Sequence, residues 1–204
     1  MNRERWQTFL AQLGVERDDA MLGRLQRAYG ERHRAYHTAT HIDHCLRELD
    51  RARALAMEPV EVECALWFHD AIYQPYRGLN EERSAAWAAQ FLRQSGAAEE
   101  RIERVREMIL ATRHAEPPAS SDGALVVDID LSILGAEPRA YEAFEKAVRR
   151  EYQWVPWFLY RSRRAGILQS FLNRPRIYHH EDFAARYEAA ARRNLAQAIG
   201  ELSG

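Results

Sequence analysis

The chain has 204 residues, 47% hydrophobic and 29% charged, with a net charge of −1 at neutral pH. That balance suits an ordinary core-forming protein and gives no bulk electrostatic pull toward a nucleic-acid polymer or an anionic membrane. Two cysteines make no disulfide framework, the start "MNRERWQTFL" lacks the apolar stretch of a signal peptide, and no apolar run approaches the roughly 18 residues of a membrane span. One cytoplasmic domain over residues 1–204 is the expectation.

Hydrophobic spacing predicts helix almost throughout. Trp6, Phe9, Leu10 and Leu13 recur at steps of three and four, which predicts a helix over Arg3–Leu13 that stops at Gly14. A second is expected over 18–29, ending at Gly30. Thr38 or Thr40 suits the cap of a third running to about residue 57. Pro59 suits the first turn of a fourth, which is expected to run to about residue 73. Its text, "VEVECALWFHDAIY", is apolar on most faces and so belongs at the centre of the fold. "YQPYRGLN" is a loop; Asn80 is expected to cap 81–94, and Gly96 to close it. Further helices are predicted over 99–114, over 139–152 behind Pro138, over Trp157–Leu172 behind Pro156, and over 182–202. The apolar run "ALVVDIDLSILG" suits a short buried strand or a buried helix, which periodicity does not separate; the all-helical context favours helix. The fold class is therefore all-α, a helical bundle. Trp154, Trp157, Phe158 and Tyr160 read as core, and Ile167, Leu168, Phe171 and Leu172 as the buried side of their helix.

Three features carry chemistry. "YHTATHIDHCL" crowds His37, His41 and His44 into eight positions; on a helix they share one stripe. "ALWFHDAIY" places His69 and Asp70 side by side in a segment expected to be buried, where a charge needs a partner or a metal. "VVDIDLSILG" sets Asp128 and Asp130 in apolar surroundings, pointing about 200° apart on a helix, so one site can readily use only one of them. Imidazole and carboxylate together suit a divalent ion of Mn, Fe, Co, Ni, Zn or Mg. Such an ion lowers the pKa of its water and makes a nucleophile near neutral pH, and a bridging carboxylate can hold a second ion about 3.5–4 Å away. The competing reading is a buried polar network closed by hydrogen bonds alone. A ferritin-like site needs Glu-x-x-His pairs, and no histidine here has Glu three residues before it.

The order H…HD…D resembles that of the HD-domain metal-dependent phosphohydrolases. "YHTATH" and "DLS" are similar to segments of the helical cyclic-nucleotide phosphodiesterases in the same superfamily. Over almost the whole chain the closer likeness is to a group of small bacterial-type predicted phosphohydrolases, through "RAYH", "ALWFHDAIY", "ILATRH", "DIDLSILG" and the stretch from "YRSRR" to "RPRIY". The resemblance implies an HD-type helical domain with His41, His69, Asp70 and Asp130 as metal ligands. It makes His37 the general acid that protonates the leaving oxygen, and gives Asp70 a catalytic part as well as a ligand's. Arg161 and Arg164 would meet the substrate's phosphate, since a guanidinium fork fits phosphate oxygens, and His114 is a further substrate-binding candidate. The chain lacks the two extra histidines of the subgroup with five histidines and two metals, and the purine-clamping glutamine of the phosphodiesterases. The substrate implied is a small phosphate ester, a nucleotide among the candidates, but no cyclic nucleotide. The alternative is a non-catalytic HD module that binds or senses a metal or nucleotide without turnover.

Overall fold

Asn2 opens the first helix, α1 (Arg3–Leu13), by accepting the backbone N–H of Glu4 at 2.8 Å and of Arg5 at 3.3 Å through its side-chain oxygen. Gly14 ends it at φ 76°, a left-handed position that costs glycine nothing. In this computed structural model, which describes residues 1–15 and 18–204, the regular elements of the described residues are all helical and no strand occurs among them. They continue with α2 (Asp19–Tyr29), α3 (Ala39–Ala52), a 3₁₀ turn at Arg53–Leu55, α4 (Pro59–Phe68), α5 (Asn80–Gln94), α6 (Glu99–Ala111), α7 (Ser121–Asp130) and a 3₁₀ turn at Leu131–Gly135. Then follow α8 (Pro138–Glu151), α9 (Trp157–Leu172), the short α10 (Glu181–Phe183), a π turn at Ala184–Glu188 and α11 (Ala189–Ser203). No helix among the described residues is long and apolar enough to cross a membrane. Residue contacts gather into two compact units, Met1–Ile129 and Asp130–Gly204.

In the first unit, α4 is central. Residues 61–68 are all buried, and α1, α3, α5 and α6 pack around them. Two carboxylates go inside with the apolar residues, each neutralised by arginine. Glu61 accepts from Arg104 at 2.6 and 2.7 Å and from Arg101 at 3.1 Å. Glu63 accepts from Arg5 at 2.9 Å. The start of α4 is capped from afar: Asp122 of α7 accepts the backbone N–H of Met57 and of Glu58, both at 2.8 Å. These are groups that a helix start leaves without an intrahelical partner.

The end of α4 corrects the sequence reading. The helix stops at Phe68, not near residue 73, so His69 and Asp70 stand in a turn just past it. The backbone there finds partners that outcompete the helical ladder. Arg34 donates to the carbonyls of Asp70 and Ala71. The Ser84 hydroxyl takes the N–H of Ile72 at 3.0 Å, and Asn80 takes that of Gln74 at 3.1 Å. Asn80 thereby tethers the loop before α5 rather than capping 81–94, and α5 begins with Asn80 itself.

In the second unit, the 3₁₀ turn is the anchor. Tyr178 donates its hydroxyl to Leu131 O at 2.9 Å. Asn194 of α11 donates its amide to Leu134 O at 2.8 Å and to Ala136 O at 2.9 Å. Gly135 ends that turn against the π turn, where a Cβ would stand 2.6 Å from Tyr187 Cβ and 2.8 Å from its carbonyl oxygen. Gly135→Ala should therefore destabilise by about 1–3 kcal/mol or more, because backbone must move to admit one methyl. Denaturant unfolding reads this directly, and a midpoint equal to wild type would show that Tyr187 yields freely. The aromatic group expected as core is mostly outside: Trp154 is 58% exposed, Trp157 52% and Phe158 63%, and only Tyr160 is buried. On α9 Leu168 and Phe171 are buried, as expected, while Ile167 is 49% exposed.

Candidate metal centre

The three histidines do not form one helical stripe. α3 begins at Ala39, so His37 lies in the loop ahead of it, before Thr38. His41 sits in the first turn of α3 and is buried. His44, one turn on, is half-buried; burial first, and then the charge of His41, pull its pKa below the usual histidine value. Past the end of α4, His69 is buried and its Nδ1 lies 3.0 Å from Leu66 O. That contact assigns the proton to Nδ1 and leaves the Nε2 lone pair for another partner.

Nε2 of His69 lies 3.1 Å from Nε2 of His41. Asp70 Oδ2 is 3.2 Å from the first nitrogen and 3.5 Å from the second. Ion–ligand bonds of about 2.0–2.1 Å put neighbouring ligand atoms roughly 3.0–3.4 Å apart, so these three atoms are spaced as one face of a coordination polyhedron. Burial alone would raise the Asp70 carboxyl. With those rings protonated, the charges of His69, His37 and His41 and a hydrogen bond from His69 outweigh it and hold Asp70 well below the usual carboxylate range. Asp130 ends α7, whose other nine residues belong to the first unit. Its carboxylate joins His41, Cys45 and His69 in a group whose ligand atoms all lie within 4.8 Å of one another, and this group could hold a metal ion; Asp70 is outside that group and meets it through the two imidazole nitrogens alone. Asp128, two residues earlier and fully buried, is not in the group.

Cys45 was not singled out in the sequence. Its signal was available, because it stands one helical turn after His41. The geometry gives it a lesser part than its chemistry suggests. Its sulfur is 3.7 Å from His41 Nε2 and 3.8 Å from Nδ1. A sulfur sharing an ion with Nε2 would lie much farther from Nδ1, so Sγ packs on the imidazole rather than completing a shell around the ion.

Arg34 is the residue that joins the ligand-bearing segments. It is 6% exposed. Its guanidinium donates to His37 O at 3.0 Å, Asp70 O at 2.7 Å and Ala71 O at 3.1 Å, while Glu31 holds its Nε at 3.0 Å. One planar fork thus ties the loop before α3 to the turn after α4. Arg34→Lys cannot span those carbonyls and is expected to weaken metal binding by about ten- to a hundredfold. A metal titration showing wild-type affinity would reject this positioning role.

His37 is half-buried beside the group, its ring stacked on Tyr73 at 4.1 Å and 6.1 Å from that of His41. His114 stands past the end of α6, which stops at Ala111 rather than at His114; it has a left-handed φ of 56° and is not among the ligating residues. Arg161 and Arg164 lie on α9 in the second unit. The fork of Arg164 is closed on Glu145, at 2.7 and 3.0 Å, and Arg161 is half-buried.

No family model, curated protein or solved structure matches this chain.

Proposed function

We propose that the chain is a metal-dependent phosphohydrolase of the HD type, acting on a small phosphate ester, with a nucleotide the first candidate. The observation that carries this reading is the triangle of His41 Nε2, His69 Nε2 and Asp70 Oδ2, with edges of 3.1, 3.2 and 3.5 Å. Two nitrogens and a carboxylate at that spacing fit a divalent ion, and Asp130 supplies a further oxygen. When bound, such an ion supplies Lewis acidity and lowers the pKa of its water toward neutrality.

The chain's own residues do the rest. The hydrogen bond from His69 Nδ1 to Leu66 O keeps that imidazole in the tautomer that presents Nε2. Arg34 fixes the backbone on both sides of the site. Asp70 stays ionised among imidazoles, ready to ligate and to accept a hydrogen bond from the attacking water. His37, on its Tyr73 platform, is the group within reach to protonate a leaving oxygen.

The test is a panel of nitrophenyl phosphates, alkyl phosphates and nucleoside phosphates, each assayed with Mn, Fe, Co, Ni, Zn and Mg. Phosphate release that needs a divalent ion and disappears in His41→Ala supports the reading. A protein that binds the ion stoichiometrically but turns over nothing on the panel would instead be a binding or sensing module.

A further inference from the structure

We infer that the first unit carries an anion site on α2, separate from the metal-ligating residues, that takes inorganic phosphate or the phosphate group of a small molecule. A cavity of about 370 Å³ opens there, lined by Arg24, Arg27, Glu31, Tyr73, Gln74 and Trp87 among others. Its polar groups are nearly all donors in want of an acceptor. Arg24 and Arg27 lie three residues apart on α2, both exposed, and neither side chain forms an ion pair or hydrogen bond with another described residue. The Arg24 guanidinium rests over the Trp87 ring, 5.0 Å from its centroid, which holds the cation at the cavity wall. The indole N–H of Trp87 is buried and has no acceptor. Gln74 has its oxygen taken by Arg83 at 3.1 Å, which leaves its amide N–H groups to donate. The carboxylate in the wall, Glu31, is committed to Arg34 at 3.0 Å.

Two guanidinium groups with no carboxylate partner among the described residues, and the Gln74 amide, around one cavity define the ligand's chemistry. It must be anionic and rich in acceptors. A phosphoryl group has both properties, and the arginine fork matches its oxygens. None of these residues belongs to the metal-ligating group, so the site does not depend on the hydrolase reading.

The experiment is calorimetric titration of inorganic phosphate, and of AMP, into the full chain carrying Asp70→Ala, where phosphate held by the metal group is removed. Asp70→Asn serves if the alanine variant does not fold. The same titration is then repeated with Arg24→Ala and Arg27→Ala added. We expect one phosphate bound in the first protein, an affinity that falls as salt rises, and at least a tenfold loss when both arginines are removed, with the melting temperature unchanged. Trp87→Phe should weaken binding severalfold. AMP binding more tightly than phosphate would assign the rest of the cavity to the organic part of the ligand, and equal affinity would assign it to phosphate alone. No binding of either in the Asp70 variant, or binding that survives loss of both arginines, overturns the proposal.

Discussion

Asp70→Ala is expected to strip the protein of its divalent ion. Asp70 Oδ2 is the atom that sits against both imidazole nitrogens, at 3.2 and 3.5 Å. Removing it leaves two neutral donors and Asp130 to hold a doubly charged ion. Losing an outer-shell partner typically costs ten- to a hundredfold in metal affinity; losing this ligand should cost more than about a hundredfold. Elemental analysis after gel filtration should fall from near one ion per chain to less than about a tenth. Cys45→Ala is the contrasting variant. Its sulfur packs on the His41 ring rather than facing the ligand triangle, so the metal content should stay at the wild-type level. If instead Cys45→Ala loses the ion and Asp70→Ala keeps it, the coordination is the reverse of the one drawn here.

His37→Ala should leave the metal in place and remove turnover. His37 lies beside the candidate ligands, its ring 6.1 Å from that of His41 and fixed by stacking on Tyr73 at 4.1 Å. A positioned general acid contributes about a hundred- to ten-thousandfold, and kcat should drop within that range. The loss should be small for nitrophenyl phosphates, whose leaving group departs without help, and large for alkyl phosphates. An equal loss on both would mean that His37 shapes the site without donating a proton.

The helices that the sequence showed best are those whose ends are set locally. α1 ends at Gly14 and α9 opens behind Pro156, at the residues expected, because glycine and proline act within a few positions of themselves. α4 is the opposite case. Its central position was legible from an apolar segment with no polar face, yet its end was not. The groups that terminate it, Arg34, Ser84 and Asn80, come from elsewhere in the chain. Its start falls at Pro59, as expected, with Asp122, more than sixty positions away, capping it.

Three members of the group that could hold a metal ion, His41, His69 and Asp130, stood out in the sequence against apolar surroundings, and the fourth, Cys45, did not. What stayed hidden was whatever depends on who meets whom. Arg34 reads as one arginine among many until its three carbonyl partners are seen. Trp154, Trp157 and Phe158 have the composition of a core, and only the fold shows that each is more than half exposed. Arg164 was a candidate for phosphate by its chemistry, and Glu145 is what fills its fork. The open cations of the first unit, Arg24 and Arg27, carry no mark in the sequence that separates them from paired ones.

Anomalous diffraction from crystals of the protein soaked in manganese or zinc tests the metal site without any assay of turnover. One strong peak is expected about 2.0–2.2 Å from His41 Nε2, His69 Nε2 and an Asp70 oxygen, with Asp130 next to it. A fully loaded crystal whose strongest peak lies away from those residues would contradict that coordination.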